Sequence, residues 1–347
     1  MESLELYGWS PDVVDAGSDP SLVPGRVVAS LGDTHTVLTS DGLVSAIETG
    51  RIRFAADSAL DLPTVGDWVG IRRVGETCLV DHLYPRRTFL ARRKAGRSDE
   101  PQLVAANVDV VFVITAATAE HNPRRLERYL AAVHAGGAVP EIVLNKVDLV
   151  PDTAPFLASM PPGVRVHALS ALHGREMPLE LGGRRTYAFV GSSGVGKSTI
   201  VNRLLGAEQQ AVRALARDDT GRHTTTHREL FAVPGRDAVI IDTPGMRELG
   251  MWSADGLDET FAEIAELAER CKFRDCGHDT EPGCAVAAAV AAGTLEQSRV
   301  LAWRKLLREA RRTGVRSQES GVRPHHKRGS SRATERAHWR RTSADDP

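Results

Sequence analysis

Two hydrophobic rhythms divide the chain. Between Gly25 and about Pro85 the apolar residues come in short runs, VVASL, THTVLTS, LVSAIET, DWVGIRRV and ETCLVDHL, broken by turn signals at Asp41-Gly42 and Gly66-Asp67. Short β-rich runs between such turns predict strands. Five of them in so small a span suit a closed barrel, with the OB-fold as leading candidate. Barrels of this kind often bind RNA, but a fold alone does not establish a function.

The second rhythm begins near residue 108. VDVVFVITAA (108–117), PEIVLNK (140–146), RTYAFVG (185–191) and DAVIIDT (237–243) are continuous apolar runs, as expected of parallel strands buried on both faces. Helix-like stretches, Pro123–Ala135 and Lys197–Leu205 among them, lie between. The alternation predicts an α/β nucleotide-binding domain. After Gly250 the pattern turns helical around a Cys/His cluster.

Composition sharpens this picture at the ends. Residues 304–341 hold 13 Lys/Arg against Glu309, Glu319 and Glu335, whereas the rest of the chain holds 31 basic and 42 acidic residues. An acidic body with a basic tail points to a polyanionic partner at that end, a solubilising tail being the alternative. Arg86, Arg87, Arg92, Arg93, Lys94 and Arg97 form a second basic run, read either as a solvated face or as an RNA or nucleotide contact. No stretch of about eighteen apolar residues exists, so no membrane partner is expected. The N-terminal segment MESLELYGWSPDVVDAG lacks the pattern of a signal peptide, and three of the four cysteines cluster, which favours a reducing cytoplasm over a disulfide framework.

The chemistry sits in motifs at the strand ends. Residues 191–198, Gly191-Ser192-Ser193-Gly194-Val195-Gly196-Lys197-Ser198, match a phosphate loop between a strand and a helix that continues with Thr199. The glycines let backbone N–H groups face phosphate oxygens, Lys197 reaches the β- and γ-phosphates, and the Ser198 hydroxyl ligates Mg²⁺. Downstream, Asp242-Thr243-Pro244-Gly245 closes another strand, so Asp242 can hold Mg²⁺ through water and Gly245 can offer its N–H to the γ-phosphate. Between them, Gly221-Arg222-His223-Thr224-Thr225-Thr226 reads as a switch loop, with Thr224 or Thr225 closing on Mg²⁺. Met246 stands where many GTPases keep a water-orienting Gln, and His223 is the nearest sequence candidate for that task.

Base recognition is read from Asn145-Lys146-Val147-Asp148 and from Ser170-Ala171. A carboxylate at Asp148 accepts from guanine N1–H and its exocyclic amine, an edge adenine lacks, so GTP is favoured over ATP. Asn145 braces the loop, and the Lys146 stem covers the base. These motifs precede the phosphate loop in the chain, the reverse of the common GTPase order. A site assembled from strand ends survives such a permutation. Finally, Cys271, Cys276, His278 and Cys284 supply three thiolates and an imidazole, a closed set for structural Zn²⁺. Cys78 reads as a small buried barrel residue.

In this order, a barrel, NKVD, GSSGVGKS, GRHTTT, DTPGMRE and CKFRDCGHDTEPGC resemble the ribosome small-subunit-dependent GTPase A family over roughly residues 24–312. The resemblance implies a multidomain chain: an OB-fold over 24–104, a circularly permuted G domain over 105–250 and a helical zinc domain over 251–312; the flanking segments it does not cover, 1–23 without periodicity and the basic 313–347, read from composition as disordered. It also implies a monomer that binds the small ribosomal subunit and its rRNA late in maturation, with slow GTP hydrolysis stimulated by the subunit. Two other readings remain at this stage, a GTP-gated RNA clamp with incidental turnover and a switch acting on a protein partner.

Overall fold

The computed structural model describes residues 4–14, 19–93, 101–174, 177–206, 228–242 and 251–312. The barrel strands are β1 (Val23–Leu31), β2 (Thr34–Thr39), β3 (Gly42–Glu48), β4 (Trp68–Val74) and β5 (Thr77–Leu83), with helix α1 (Gly50–Ala55) after β3. Pairing runs β1-β2-β3-β5-β4, and β4 returns to β1, so the sheet closes. β3 and β5 are parallel and the other pairs antiparallel. Closure removes the sheet edges and forms the expected OB-type barrel. Val27, Val37, Ala46, Val69, Ile71 and Val80 cluster with Ile52 of α1 in its core. Cys78 is half-buried rather than buried, and packs against the rim of that core.

A hairpin of β6 (Phe89–Arg93) and β7 (Pro101–Ala106) follows. The nucleotide-binding unit then comprises β8 (Val110–Ala116), α2 (Pro123–Ala135), β9 (Val139–Asn145), α3 (Ala154–Ala158), β10 (Val166–Ala168) and β11 (Arg185–Gly191). It continues with α4 (197–206), β12 (Glu229–Ala232) and β13 (Ala238–Asp242). Strand order is β10-β9-β8-β11-β13-β12, parallel except for β12. β8, β9 and β10 extend the sheet one way and the later strands extend it the other, so the direction of winding reverses between β8 and β11. Ligands bind at such switch points, beyond the carboxyl ends of the strands. Leu126, Tyr129, Leu130 and Val133 of α2 cover one face of the sheet. Ile200, Val201, Leu204 and Leu205 of α4 cover the other.

Helices α5 (Leu257–Thr260), α6 (Ala262–Ala268), α7 (Ala285–Ala291) and α8 (Gln297–Arg312) form the C-terminal unit. Its core of Leu257, Phe261, Ile264, Val286, Val300 and Leu306 also takes in Ala131 of α2. Among the described residues no helix is long and apolar enough to cross a membrane.

Two sequence expectations need correction. The segment 1–23 is not disordered in its described part: Tyr7 and Val13 are buried, and Val13 packs with Trp68 and Tyr84 of the barrel. Its aromatic and aliphatic residues find a partner surface that no local periodicity announces. Nor is the basic run 86–97 uniformly a solvated or nucleic-acid-facing surface. Arg86 is buried, with Nε 2.6 Å from Asp67 Oδ1 and Nη2 2.7 Å from Oδ2, and it also donates to the carbonyls of Leu60 and Leu62. Burial opposes the charge, but the Asp67 carboxylate outweighs it and raises the guanidinium pKa.

A second buried cation joins the units. Arg26 is 1% exposed and donates to Tyr7 O, Gly66 O, Asn107 O and Thr186 Oγ1, tying the N-terminal segment, the barrel and β11 together. Burial pushes its pKa down to about 10, which leaves it charged at neutral pH. β12 bridges β1 at Ala29↔Glu229, so one hydrogen-bonded sheet runs from barrel to nucleotide domain.

Candidate functional site

The loop 191–198 leaves the carboxyl end of β11 and enters α4 at Lys197. Its glycines are demanded by geometry. Gly191 has φ +146°, and a Cβ there would lie 2.4 Å from Ile114 O; Gly196 has φ +99°, and a Cβ would lie 2.2 Å from Asn145 Nδ2. Only glycine combines such torsions with so close an approach. Lys197 Nζ donates to the carbonyls of Gly191 (2.7 Å) and Ser192 (2.6 Å), folding across the loop it serves. Ser193, Gly194 and Ser198 are exposed, whereas Val195 is buried and anchors the loop. Thr199 lies in the first turn of α4. The start of a helix directs unpaired N–H groups and a positive dipole end toward an anion.

The guanine motifs converge on the same edge of the sheet. Asn145, the last residue of β9, is buried; its Nδ2 donates to Val195 O at 2.8 Å and its Oδ1 accepts from Ala171 N at 2.9 Å. One amide thus joins NKVD, the Ser170-Ala171 loop and the phosphate loop, which lie 26 and 50 residues from it in sequence. Lys146 takes a left-handed backbone, φ 62°, which turns the chain sharply so that Asp148 stays exposed. The neighbouring Ser170 hydroxyl holds the pKa of the Asp148 carboxyl below the ordinary range. Val147 donates its N–H to Leu169 O at 3.4 Å, closing the pair of loops. Asp242 ends β13, beside β11 in the sheet. His223, Thr224, Thr225, Gly245 and Met246 lie outside the described residues.

The second cluster joins α6 to α7. The ligand atoms of Cys271, Cys276, His278 and Cys284 all lie within 4.8 Å of one another. Cys271 Sγ is 3.9 Å from Cys284 Sγ and 3.5 Å from His278 Nδ1, and Cys284 Sγ is 3.7 Å from that nitrogen. Tetrahedral zinc, with bonds of about 2.3 Å to sulfur and about 2.05 Å to nitrogen, requires edges of about 3.8 and about 3.6 Å. The donor set fits a zinc ion and is far too open for a disulfide of about 2.05 Å. Burial pushes the Cys276 thiol up to about 11. Burial also opposes ionisation at Cys271, but the N–H groups of Ala285 and Val286 opening α7 turn its net shift downward. Crowded thiolates need a cation to become stable together. Arg304 of α8 donates to His278 O, and the Trp303 ring lies 5.3 Å from the imidazole, so α8 fixes the His loop from behind.

Sequence reasoning missed Arg125, which donates from the first turn of α2 to Ser192 Oγ in the phosphate loop. No motif marks it, because its partner is 67 residues away.

A doubly wound sheet with a phosphate loop at its switch point and a guanine motif earlier in the chain defines a P-loop nucleotide hydrolase with permuted strand order. Residues 83–252 match the sequence profile described as RsgA GTPase. The chain is 42% identical over 326 residues to "Small ribosomal subunit biogenesis GTPase RsgA 2" of Lactiplantibacillus plantarum, covering 91% of this chain and 92% of that protein. It is 43% identical to the "Small ribosomal subunit biogenesis GTPase RsgA" of Opitutus terrae, covering 88% and 89% of the two chains. The chain belongs to the RsgA GTPase family and is a GTP hydrolase. Its fold is similar to that of YloQ, described as a circularly permuted GTPase, with TM-score 0.59, 24% identity, and 86% of this chain and 98% of that one covered.

Proposed function

We propose that this GTPase assists late maturation of the small ribosomal subunit, binding the subunit through its rRNA and hydrolysing GTP faster when bound. The observation that carries this reading is likeness over nine-tenths of both chains to a relative named for small-subunit biogenesis. In this reading Asp148 selects guanine and Asn145 sets the distance between base and phosphate loops. Ala171 N–H meets the guanine oxygen. Lys197 and the loop N–H groups neutralise the phosphates, while Ser198 and, through water, Asp242 hold Mg²⁺. Thr224 or Thr225 closes on Mg²⁺, Gly245 offers its N–H to the γ-phosphate, and His223 orients the attacking water. These steps need little covalent chemistry from the protein, since phosphoryl transfer is catalysed by positioning and charge.

Zn²⁺ is assigned to Cys271, Cys276, His278 and Cys284, where it staples the loop between α6 and α7. A closed four-ligand site has no position for a substrate, so its part is structural. The protein acts in the cytoplasm as a monomer, and the basic tail adds contacts to RNA phosphates.

Steady-state GTP hydrolysis with and without purified small subunits tests the proposal. The expected result is a large stimulation by small subunits and little by large subunits. Equal rates in all three conditions would reject it. Co-sedimentation with the subunit that resists RNase would point instead to a protein partner.

A further inference from the structure

We propose that Arg125 is a positioning residue for GTP hydrolysis: from α2 it grips Ser192 and holds the phosphate loop from outside. Ser192 is held at two points. Its carbonyl accepts from Lys197 Nζ at 2.6 Å, and its hydroxyl accepts from Arg125 Nη1. Lys197 shares its N–H groups between the carbonyls of Gly191 and Ser192 and the phosphates it is assigned to. Arg125 holds the loop from a different element.

That element is firmly fixed. Asn122 caps α2 through Oδ1, which accepts from Arg125 N at 3.2 Å. Leu126, Tyr129, Leu130 and Val133 bury one side of the helix against the sheet. Ala131 lies in the core of the C-terminal unit. Glu127, 4% exposed, accepts from Arg299 Nη1 at 2.7 Å, and Arg128 forms a forked pair with Glu309 at 3.1 Å for both bonds. The helix that carries Arg125 is therefore packed and ion-paired to α8. Preorganised donors stabilise a transition state only while they are held in place, and a misplacement of about 1 Å can cost about 100-fold in rate. Arg125 thus sets the loop for the hydrolytic step relative to a helix on which the C-terminal unit rests.

The inference rests on assigning residues 191–198 to the phosphates, and the experiment separates the two. Single-turnover GTP hydrolysis and GDP affinity are measured for the full chain and for Lys197→Ala, Arg125→Met, Arg125→Lys, Ser192→Ala and the Arg125→Met/Ser192→Ala double variant. Met keeps the aliphatic bulk and removes the donor. Arg125→Met is expected to lower the rate constant about 10- to 100-fold while GDP affinity changes about threefold or less, and Arg125→Lys to recover part of the loss. Ser192→Ala is expected to lose about as much, and the double variant no more than either single one, since the two side chains act through one bond. An unchanged rate in Arg125→Met, or additive losses in the double variant, would overturn the inference. Should Arg125→Met fail to fold, Ser192→Ala and Arg125→Lys decide alone: a parental rate in both rejects the inference. Retained hydrolysis in Lys197→Ala would instead reject the phosphate-loop assignment.

Discussion

The side chain of Asn145 donates to the backbone carbonyl of Val195 at 2.8 Å, so the end of β9 and the phosphate loop are fastened by one buried amide. Its other end receives Ala171 N–H, and Gly196 leaves room for it with no Cβ. In a permuted chain these three segments have no short covalent link. The amide does the aligning that chain order does not.

Gly196→Ala should therefore fail as a nucleotide binder. The methyl would lie 2.2 Å from Asn145 Nδ2 on a backbone at φ +99°. Strain of about 1–3 kcal/mol is expected from the torsion alone. Asn145→Ala leaves the buried Ala171 N–H and Val195 carbonyl unpaired, at about 1–3 kcal/mol each. Calorimetric GDP titration should show at least a tenfold loss in both variants.

Guanine selection should follow Asp148. Asp148→Asn replaces a pure acceptor with a mixed group, so GDP binding should weaken and xanthosine diphosphate binding should strengthen. Competition between the two nucleotides measures the shift, and unchanged GDP preference would remove Asp148 from the base site.

The same carboxylate predicts a pH limit. Its pKa is depressed below 3.8 by the Ser170 hydroxyl, so the charged form persists at neutral and mildly acidic pH and is lost only as pH falls through the depressed value. Ser170→Ala removes the donor, and the acid limb of GDP binding should move upward in pH, toward 3.8. Affinity measured across mildly to strongly acidic buffers in both proteins decides it.

Arg86 and Asp67 should behave as a buried structural pair. Arg86→Met leaves Asp67, 0% exposed, without its counter-charge. Breaking one side of such a pair costs about 3–5 kcal/mol, whereas replacing both partners with apolar residues of similar volume costs far less. Urea unfolding of the single and double variants gives both numbers, and an unaffected single variant would contradict the assignment.

One zinc per chain is expected by metal analysis of protein purified without chelator. Cys276→Ser should lower zinc content and the thermal midpoint, with GDP affinity nearly unchanged, because the cluster sits between α6 and α7 rather than at the sheet edge. A metal-free, fully stable preparation would dismiss the site.

Features whose chemistry is local can be read straight from the chain. A phosphate loop needs glycines, lysine and serine at fixed spacing between a strand and a helix, and NKVD and the Cys/His cluster are equally local, so each reads as a candidate site from the chain alone. Short runs between turn signals, set against longer continuous apolar runs, likewise separated the barrel from the parallel sheet. Features that depend on partners far along the chain emerge with the packed fold. Arg86, one cation in a basic run, turns inward because Asp67 waits 19 residues back. Arg26 is buried because Tyr7, Asn107 and Thr186 converge on it from three segments. Arg125 meets Ser192 because α2 starts beyond the carboxyl end of β8, beside the end of β11 from which the phosphate loop leaves. A charged side chain in a sequence carries no sign of whether it will meet water or a buried counter-group. Long-range packing makes that choice, since burying a charge is tolerable only where the fold supplies its hydrogen-bond partners.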